Sequence, residues 1–210
     1  MQSLQNKMPL PLQATATNWR LFMLRKADKA FQPFQQKIFA RDNHTCQFCG
    51  FQAQEALDIV NVDGNFQNNK MSNLVTACPF CSQCFFLESV DMGEFGGGQL
   101  IYCPQMTQAQ VNALCHVLFF SIAHASSYAT EAKDIYRSLR LCSQQIEKEF
   151  GEGFSNPNIF GCLYIESEAN KRKDFNQVLL EHVRLLPSLA KFTKQVKQWS
   201  LSGLQQMSAC

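Results

Sequence analysis

The stretch TCQFCGFQAQEALDIVNVDGN (Thr45–Asn65), answered by NLVTACPFCS (Asn73–Ser82), decides how the N-terminal half of this chain is read. Cys46-x-x-Cys49 and Cys78-x-x-Cys81 are two knuckles separated by one hairpin's length of chain. Each C-x-x-C turns two sulfurs toward one point, and a hairpin between the knuckles brings the second pair back to the first. Four thiolates complete a tetrahedral shell with no open position, which is the pattern of a structural zinc site. Cys46, Cys49, Cys78 and Cys81 are therefore the expected metal ligands, and one zinc ion the expected cofactor. Cys84 repeats the spacing after Cys81 and competes for a place; its simpler reading is a buried thiol one turn further along. Cys103, Cys115, Cys142, Cys162 and Cys210 have no ligand spacing and read as apolar filler.

Working outward, LDIV (57–60) reads as a strand, and VDGN and QNNKMSN as polar turns. Trp19–Arg25 (WRLFMLR) has the apolar and aromatic content of a short strand. Phe31, Phe34, Ile38 and Phe39 fall at helical spacing, with Pro33 marking a break or an N1 start. GEFGGGQ (93–99) reads as a linker or hinge. QLIYC reads as a strand, and Thr107 with Gln110 as a capping box opening a helix through Val111, Leu114, Cys115, Leu118 and Ile122. A second helix is expected over 131–150, ending at Gly151 and Gly153. NIFGCLYIE is strand-like, and DFNQVLLEHVRLL and SLAKFTKQVKQWSL read as two helices parted by Pro187. The expected class is α+β: an irregular arm over 1–18, a zinc module with its preceding strand and helix over 19–92, and a mainly helical region over 93–210 packed on it.

Composition limits the function. With 210 residues, 46% hydrophobic and 17% charged, the chain can bury a substantial core. A formal net charge of +2 gives no global field for gripping nucleic acid. From Arg41 to Val90, Arg41 and Lys70 face Asp42, Glu55, Asp58, Asp63 and Glu88, a net −3 before any thiolate is counted. From Lys171 onward the balance is +5, and Leu189, Phe192, Val196 and Trp199 share one helical face. That segment reads either as a core-packed helix with a solvated basic face or as a docking surface for an acidic partner or an anionic leaflet. The first residues carry no signal-peptide pattern, and ALCHVLFFSIAH (113–124) is too short and interrupted to span a bilayer. A cytoplasmic protein with reduced thiols is expected. His116, His124 and His182 read as satisfied helix histidines, and FGGGQ lacks the setting of a phosphate loop.

Two resemblances add to this. Residues from about Phe39 to Phe86, through FARDNHTCQFCG, LDIV and NLVTACPFCS, resemble the HNH endonuclease module of the ββα-metal type. That resemblance implies a structural zinc on the cysteines and a separate catalytic centre on the hairpin. Carried over position by position, Val60 stands where the family has Asp and Asn61 where it has His; Asn73 is kept and Ser82 takes the last place. Val offers no lone pair to a hard cation, and an amide accepts no proton near neutral pH. The resemblance therefore implies an HNH-like ββα zinc module without its catalytic centre. Asp58, Asp63 and His44 lie nearby, but read as a solvated strand residue, a turn and a surface or outer-shell histidine.

Most of the chain, through NWRLFMLRKADKAF, FARDNHTCQFCGF, NLVTACPFCSQCFFLE and GGGQLIYCPQMTQAQVNALCHVLFFSI, is similar to the IcmJ (DotN) family of the Dot/Icm type IVB secretion system. What this resemblance implies is a non-enzymatic zinc adaptor in the coupling complex, recruited to the cytoplasmic face of the inner membrane and supporting effector export. Its implied partners are the C-terminal extension of the coupling ATPase DotL, beside DotM and the IcmS-IcmW pair. The reading from another class is an HNH-type metal-dependent nuclease or nucleic-acid-binding protein.

Overall fold

A computed structural model of the chain describes residues 8–168, 172 and 181–208. Residues 171, 173 and 174, part of the basic C-terminal count, lie outside the described residues, as do Cys210 and the 174–180 part of an expected helix.

The fold is α+β, with two separate two-stranded antiparallel sheets among many helices. The N-terminal half runs α1 (Asn18–Ala27), α2 (Gln32–Arg41), β1 (Asp58–Asn61), β2 (Leu74–Ala77) and the single turn α3 (Pro79–Ser82). Strand β1 pairs with β2 in the register Asp58↔Ala77 to Asn61↔Leu74. Short 3-10 turns over Gln83–Phe85 and Leu87–Ser89 follow, and every residue from Phe80 to Val90 is buried. This run is the spine on which the rest packs.

The second half runs β3 (Gly98–Tyr102), α4 (Gln108–Ala123), α5 (Ala129–Leu141), α6 (Ser143–Phe150), α7 (Pro157–Glu166), β4 (Val183–Pro187) and α8 (Thr193–Ser208). Pairing of β3 with β4 runs from Gly98↔Pro187 to Tyr102↔Val183, which alternates side chains between two cores. Ile101 and Leu186 face a large core with the cysteine knuckles, Phe22, Phe80, Phe119 and Trp199. Leu100, Val183 and Leu185 face a second core with Leu12, Leu87, Val90, Ile146 and Phe160.

Each strand's outer edge finds partners among the described residues: beside β3, Leu100 N donates to Ser155 O at 2.7 Å and Tyr102 N to Cys142 O at 3.2 Å. Beside β1, the Arg25 guanidinium donates to Ile59 O at 2.7 Å; beside β2, Arg41 donates to Leu74 O at 2.6 Å and Asp42 accepts from Thr76 N at 2.8 Å. The Gln108 amide brackets Leu185 of β4, donating to its carbonyl and accepting from its N–H, both at 2.8 Å. Side chains thus take the place of further strands, and blunt what would otherwise be templates for association.

Several expected elements are corrected. Trp19–Arg25 is helical, because it belongs to α1, where Phe22 alone is fully buried and the other side chains are half-buried or exposed. NIFGCLYIE lies in α7, not in a strand: Asn156 caps Asn158 N at 2.9 Å and Pro157 supplies the pre-set first turn. Val183–Leu186, expected as the end of a helix, and Pro187, expected as the break after it, together form β4 (Val183–Pro187). The expected helix over 131–150 breaks at Cys142 into α5 and α6. GEFGGGQ is no free hinge: Gly97 N donates to the buried Gln83 Oε1 at 2.9 Å, and a Cβ on Gly98 would meet Leu186 O at 2.3 Å. The capping box at Thr107 and Gln110 is present in both directions.

Candidate metal centre

Two local structures converge to make the cage. In the first knuckle, Cys46 N donates to Phe51 O at 2.8 Å and Gly50 N to Cys46 O at 2.9 Å, with Gly50 at φ +79° turning the chain back. In the second, Cys78 is extended, Pro79 opens the turn, and Cys81 N returns to Cys78 O at 2.9 Å. Gln47 N donates to Thr76 O at 2.9 Å, tying the first knuckle to β2 just before the second.

The result brings together all four sulfurs that the spacing singled out. The Sγ atoms of Cys46, Cys49, Cys78 and Cys81 lie within 4.8 Å of one another, all buried, with none in a disulfide. Cys49 and Cys78 are 3.6 Å apart, close to the roughly 3.8 Å edge of a tetrahedron with 2.3 Å metal–sulfur bonds. The cluster is compatible with one metal ion. Burial pushes Cys78 and Cys81 well above the usual thiol range, whereas Cys46 falls below it: burial opposes its ionisation, but hydrogen bonds from Cys49, Cys78 and Cys81 outweigh that. Only a cation lets all four ionise together in so apolar a place.

Cys84 is not part of the cage. Its buried thiol points back to Phe80 O at 3.3 Å, and burial raises its pKa. Two groups that sequence reasoning did not connect with the cage reach it from α4. Asn112 Nδ2 lies 3.2 Å from Cys81 Sγ, and His116 Nε2 lies 3.2 Å from Cys78 Sγ. Their i, i+4 spacing on an apolar helix was the available signal. Burial pushes the His116 pKa down to about 3, which keeps the ring neutral.

The hairpin has a second cluster, and it is filled by protein. Val60 is fully buried. Asn61, also buried, accepts from Arg25 at 2.6 Å and donates to Asn65 O and Asn68 O at 3.0 and 2.8 Å. The Arg25 guanidinium also reaches Asn69 Oδ1 at 2.8 Å and lies 5.5 Å from the centre of the Phe66 ring. Desolvation lowers its pKa to about 10, so the group stays cationic. Asp58 is not the solvated residue expected: it is 3% exposed, with Ser82 Oγ donating to it at 2.6 Å and Lys26 Nζ at 2.6 Å. Asp63 is the turn residue expected, accepting from Asn65 N, Asn68 and Asn73 at 2.8, 2.7 and 2.9 Å. His44 packs against the Phe39 ring, 5.9 Å between centroids.

The apolar face expected in the basic C-terminal segment is packed in the core. Phe192, Val196 and Trp199 are core residues. Arg184 is buried on β4, Lys191 pairs with Asp91 at 2.7 Å, and Lys194 with Glu94 at 3.0 Å, so much of the expected cationic face is engaged within the chain. His124 lies against Phe120, 4.3 Å between ring centroids with the planes tilted by 40°, and His182 lies 3.6 Å from the Glu181 carboxylate. Among the described residues no helix is long and apolar enough to cross a membrane.

No protein-family model matches the chain. A curated relative, the type 4 apparatus protein DotN of Legionella pneumophila subsp. pneumophila strain Philadelphia 1, is 52% identical over 204 residues, covering 97% of this chain and 95% of the relative. Identity at that level along both whole chains shows kinship, and the chain belongs to the DotN family.

Proposed function

We propose that the chain is a non-catalytic, zinc-binding adaptor of a Dot/Icm type IVB secretion apparatus. In this reading it sits in the coupling complex at the cytoplasmic face of the inner membrane. It binds the C-terminal extension of the coupling ATPase DotL, beside DotM and IcmS-IcmW, and supports effector export. The observation that carries the secretion role is the near-complete match to DotN.

Zinc is the metal that fits the donors best. Four thiolates on tight C-x-x-C turns form a soft, closed, tetrahedral shell, which suits zinc and excludes the oxygen-loving hard cations. Bound there, the ion ties the hairpin to the following spine and leaves no position for substrate.

The absence of catalysis is supported by what fills the HNH-like hairpin. Such a centre needs a hard divalent cation and a base beside it. Here Val60 and Asn61 supply neither, and the Arg25 cation bonds directly to Asn61. A fixed guanidinium repels a second cation and occupies the lone pairs that would receive one.

The test is to combine the purified full chain with the C-terminal extension of DotL, then measure co-elution and metal content together. A stable complex with one zinc per chain is expected. Failure to bind the extension overturns the adaptor role. Plasmid cleavage in Mg²⁺, Mn²⁺ or Ni²⁺, abolished by Asn73→Ala, overturns the non-catalytic reading in favour of a nuclease.

A further inference from the structure

A zinc ion with four thiolates carries about −2, and a buried charge of that size needs hydrogen-bond donors. The cage lies among Phe80, Phe51, Phe119 and Trp199, which offer it none. Beside the backbone donor that Cys49 gives Cys46, side-chain donors reach the cage's sulfurs from one face of α4, at Asn112 and His116.

Each is built in on all sides. Asn112 is fully buried; its Nδ2 also donates to Phe80 O at 3.0 Å, and its Oδ1 accepts from Gln108 Nε2 at 2.9 Å. Gln108 in turn brackets Leu185 of β4. An unbroken line of hydrogen bonds therefore runs from the second sheet, through Gln108 and Asn112, to Cys81. The His116 ring is held between one aromatic ring from each knuckle: Phe51 at 3.7 Å with planes 3° apart, and Phe80 at 4.2 Å with planes 19° apart. Clamped so, its Nε2 meets Cys78 Sγ. A metal-bound thiolate has lone pairs and no proton, so the nitrogen facing it carries the hydrogen. His116 Nε2 falls outside the mutual 4.8 Å grouping of the four sulfurs, which places it beyond the ligand shell.

We propose that Asn112 and His116 are positioning residues of the metal centre, donating N–H···S hydrogen bonds to Cys81 and Cys78, and that through them α4 and the β3–β4 sheet hold the cage closed. The inference rests on the reading of the four cysteines as a metal site. It assigns to the C-terminal half a part in metal retention that the ligand spacing alone places wholly in the N-terminal half. Substitutions of groups that support metal ligands typically cost about 10–100-fold in affinity.

The experiment uses the full chain loaded with cadmium-113 in place of zinc, examined by proton–cadmium correlation. Couplings to the β-protons of all four cysteines are expected, together with couplings across the hydrogen bonds to His116 Hε2 and the Asn112 amide protons. His116→Phe keeps the ring between Phe51 and Phe80 but removes the donor. It should keep the cysteine couplings, lose the histidine one, and release metal to a chelator roughly 10–100 times faster. His116→Gln puts an amide N–H at the same reach and should bring release back to within about threefold of the native rate. Cysteine couplings without any to His116 or Asn112 overturn the proposal, whether or not the variant folds. So does coupling to the carbon-bound ring protons of His116, which marks a ligand, or unchanged release from a folded His116→Phe. Loss of the cysteine couplings themselves overturns the metal site, and this inference with it.

Discussion

The two faces of the β3–β4 sheet look onto cores built by different chemistry. On the Ile101 and Leu186 face the core surrounds four cysteines, the β1–β2 hairpin and a dense set of aromatic rings. On the Leu100 and Leu185 face it is mainly aliphatic and aromatic, with Ile146, Phe160, Leu87 and Leu12, and with the Glu88 carboxyl at its margin. The hairpin strands have four residues each and are joined through a polar loop; such a pair is marginal alone in water. It needs cross-links: the cysteine cage at one end and Arg25 at the other. Strands β3 and β4 lie some eighty residues apart in the sequence, and their edges are met by Gln108, which brackets Leu185, and by the Ser155 and Cys142 carbonyls, which accept from Leu100 N and Tyr102 N. Both sheets are thus largely buried and held at their edges by polar groups, and the short-range one also leads into the cysteine cluster.

The sharpest break of this contrast is at the cage. Cys78→Ser removes one of the four proposed ligands and leaves a buried hydroxyl among three thiols. Structural zinc contributes roughly 10–16 kcal/mol, comparable with the whole stability of a domain. Metal content should fall to near zero. In hydrogen exchange the amides of β1 and β2 should lose protection first, by at least about 100-fold, with Leu100 and Leu185 less affected. Uniform loss across both sheets would mean that the two cores do not open separately.

Arg25→Met tests the other end of the hairpin. Methionine spans similar length without the donors, leaving Asn61 Oδ1 and Ile59 O without the guanidinium that serves them. A destabilisation of about 2–4 kcal/mol is expected in urea melts, with metal content unchanged. A neutral result would mean that the loop polar network re-forms without the cation.

The second core has its own tight point, where α7 crosses the spine. A Cβ on Gly161 would lie 2.4 Å from Glu88 N and 2.8 Å from its Cα, so nothing but glycine fits without moving backbone. Gly161→Ala should cost about 1–3 kcal/mol through overpacking, again with full metal content. Metal loss in this variant would show the two cores to be coupled more tightly than their chemistry implies.

What could be read in the sequence follows the same division. The cage was legible because C-x-x-C spacing is a local constraint, visible without knowledge of the fold. So were β3, from its apolar run, the Thr107 capping box, and the buried face of Phe192, Val196 and Trp199 in the last segment. Strand β4 was not: Val183–Pro187 is a strand because β3 pairs with it, and that partner is remote in sequence. The aromatic content of WRLFMLR and NIFGCLYIE gave a false strand signal. In α7 the Asn156-Pro157 start is the better local evidence, a cap followed by a pre-set first turn. The contacts of Asn112, His116 and Arg25 with the two hairpin clusters are tertiary; the i, i+4 spacing of Asn112 and His116 shows that they share a helix face, but not what that face meets. Val60 and Asn61 could be compared with a family pattern; what fills the space beside them could not.

The smallest expected effect lies beside Gly161, at Glu88, the buried carboxyl of the second core. It is 9% exposed; Oε2 accepts from Thr15 N at 3.2 Å, and Oε1 has no hydrogen-bond partner among the described residues. Desolvation raises its pKa from 4.5 to about 7. The folded state therefore holds a proton that the unfolded chain releases between about pH 4.5 and 7, so this group's contribution to stability falls as pH rises through that window and is level above it. Glu88→Gln keeps an acceptor for Thr15 N and removes the titration. Relative to the native chain it should be near neutral at pH 4.5 and more stable by about 1–2 kcal/mol at pH 8, read from paired urea melts. If the two melts stay parallel across the range, the carboxylate is ionising without penalty, and the N-terminal strap over the second core is wetter than its burial implies.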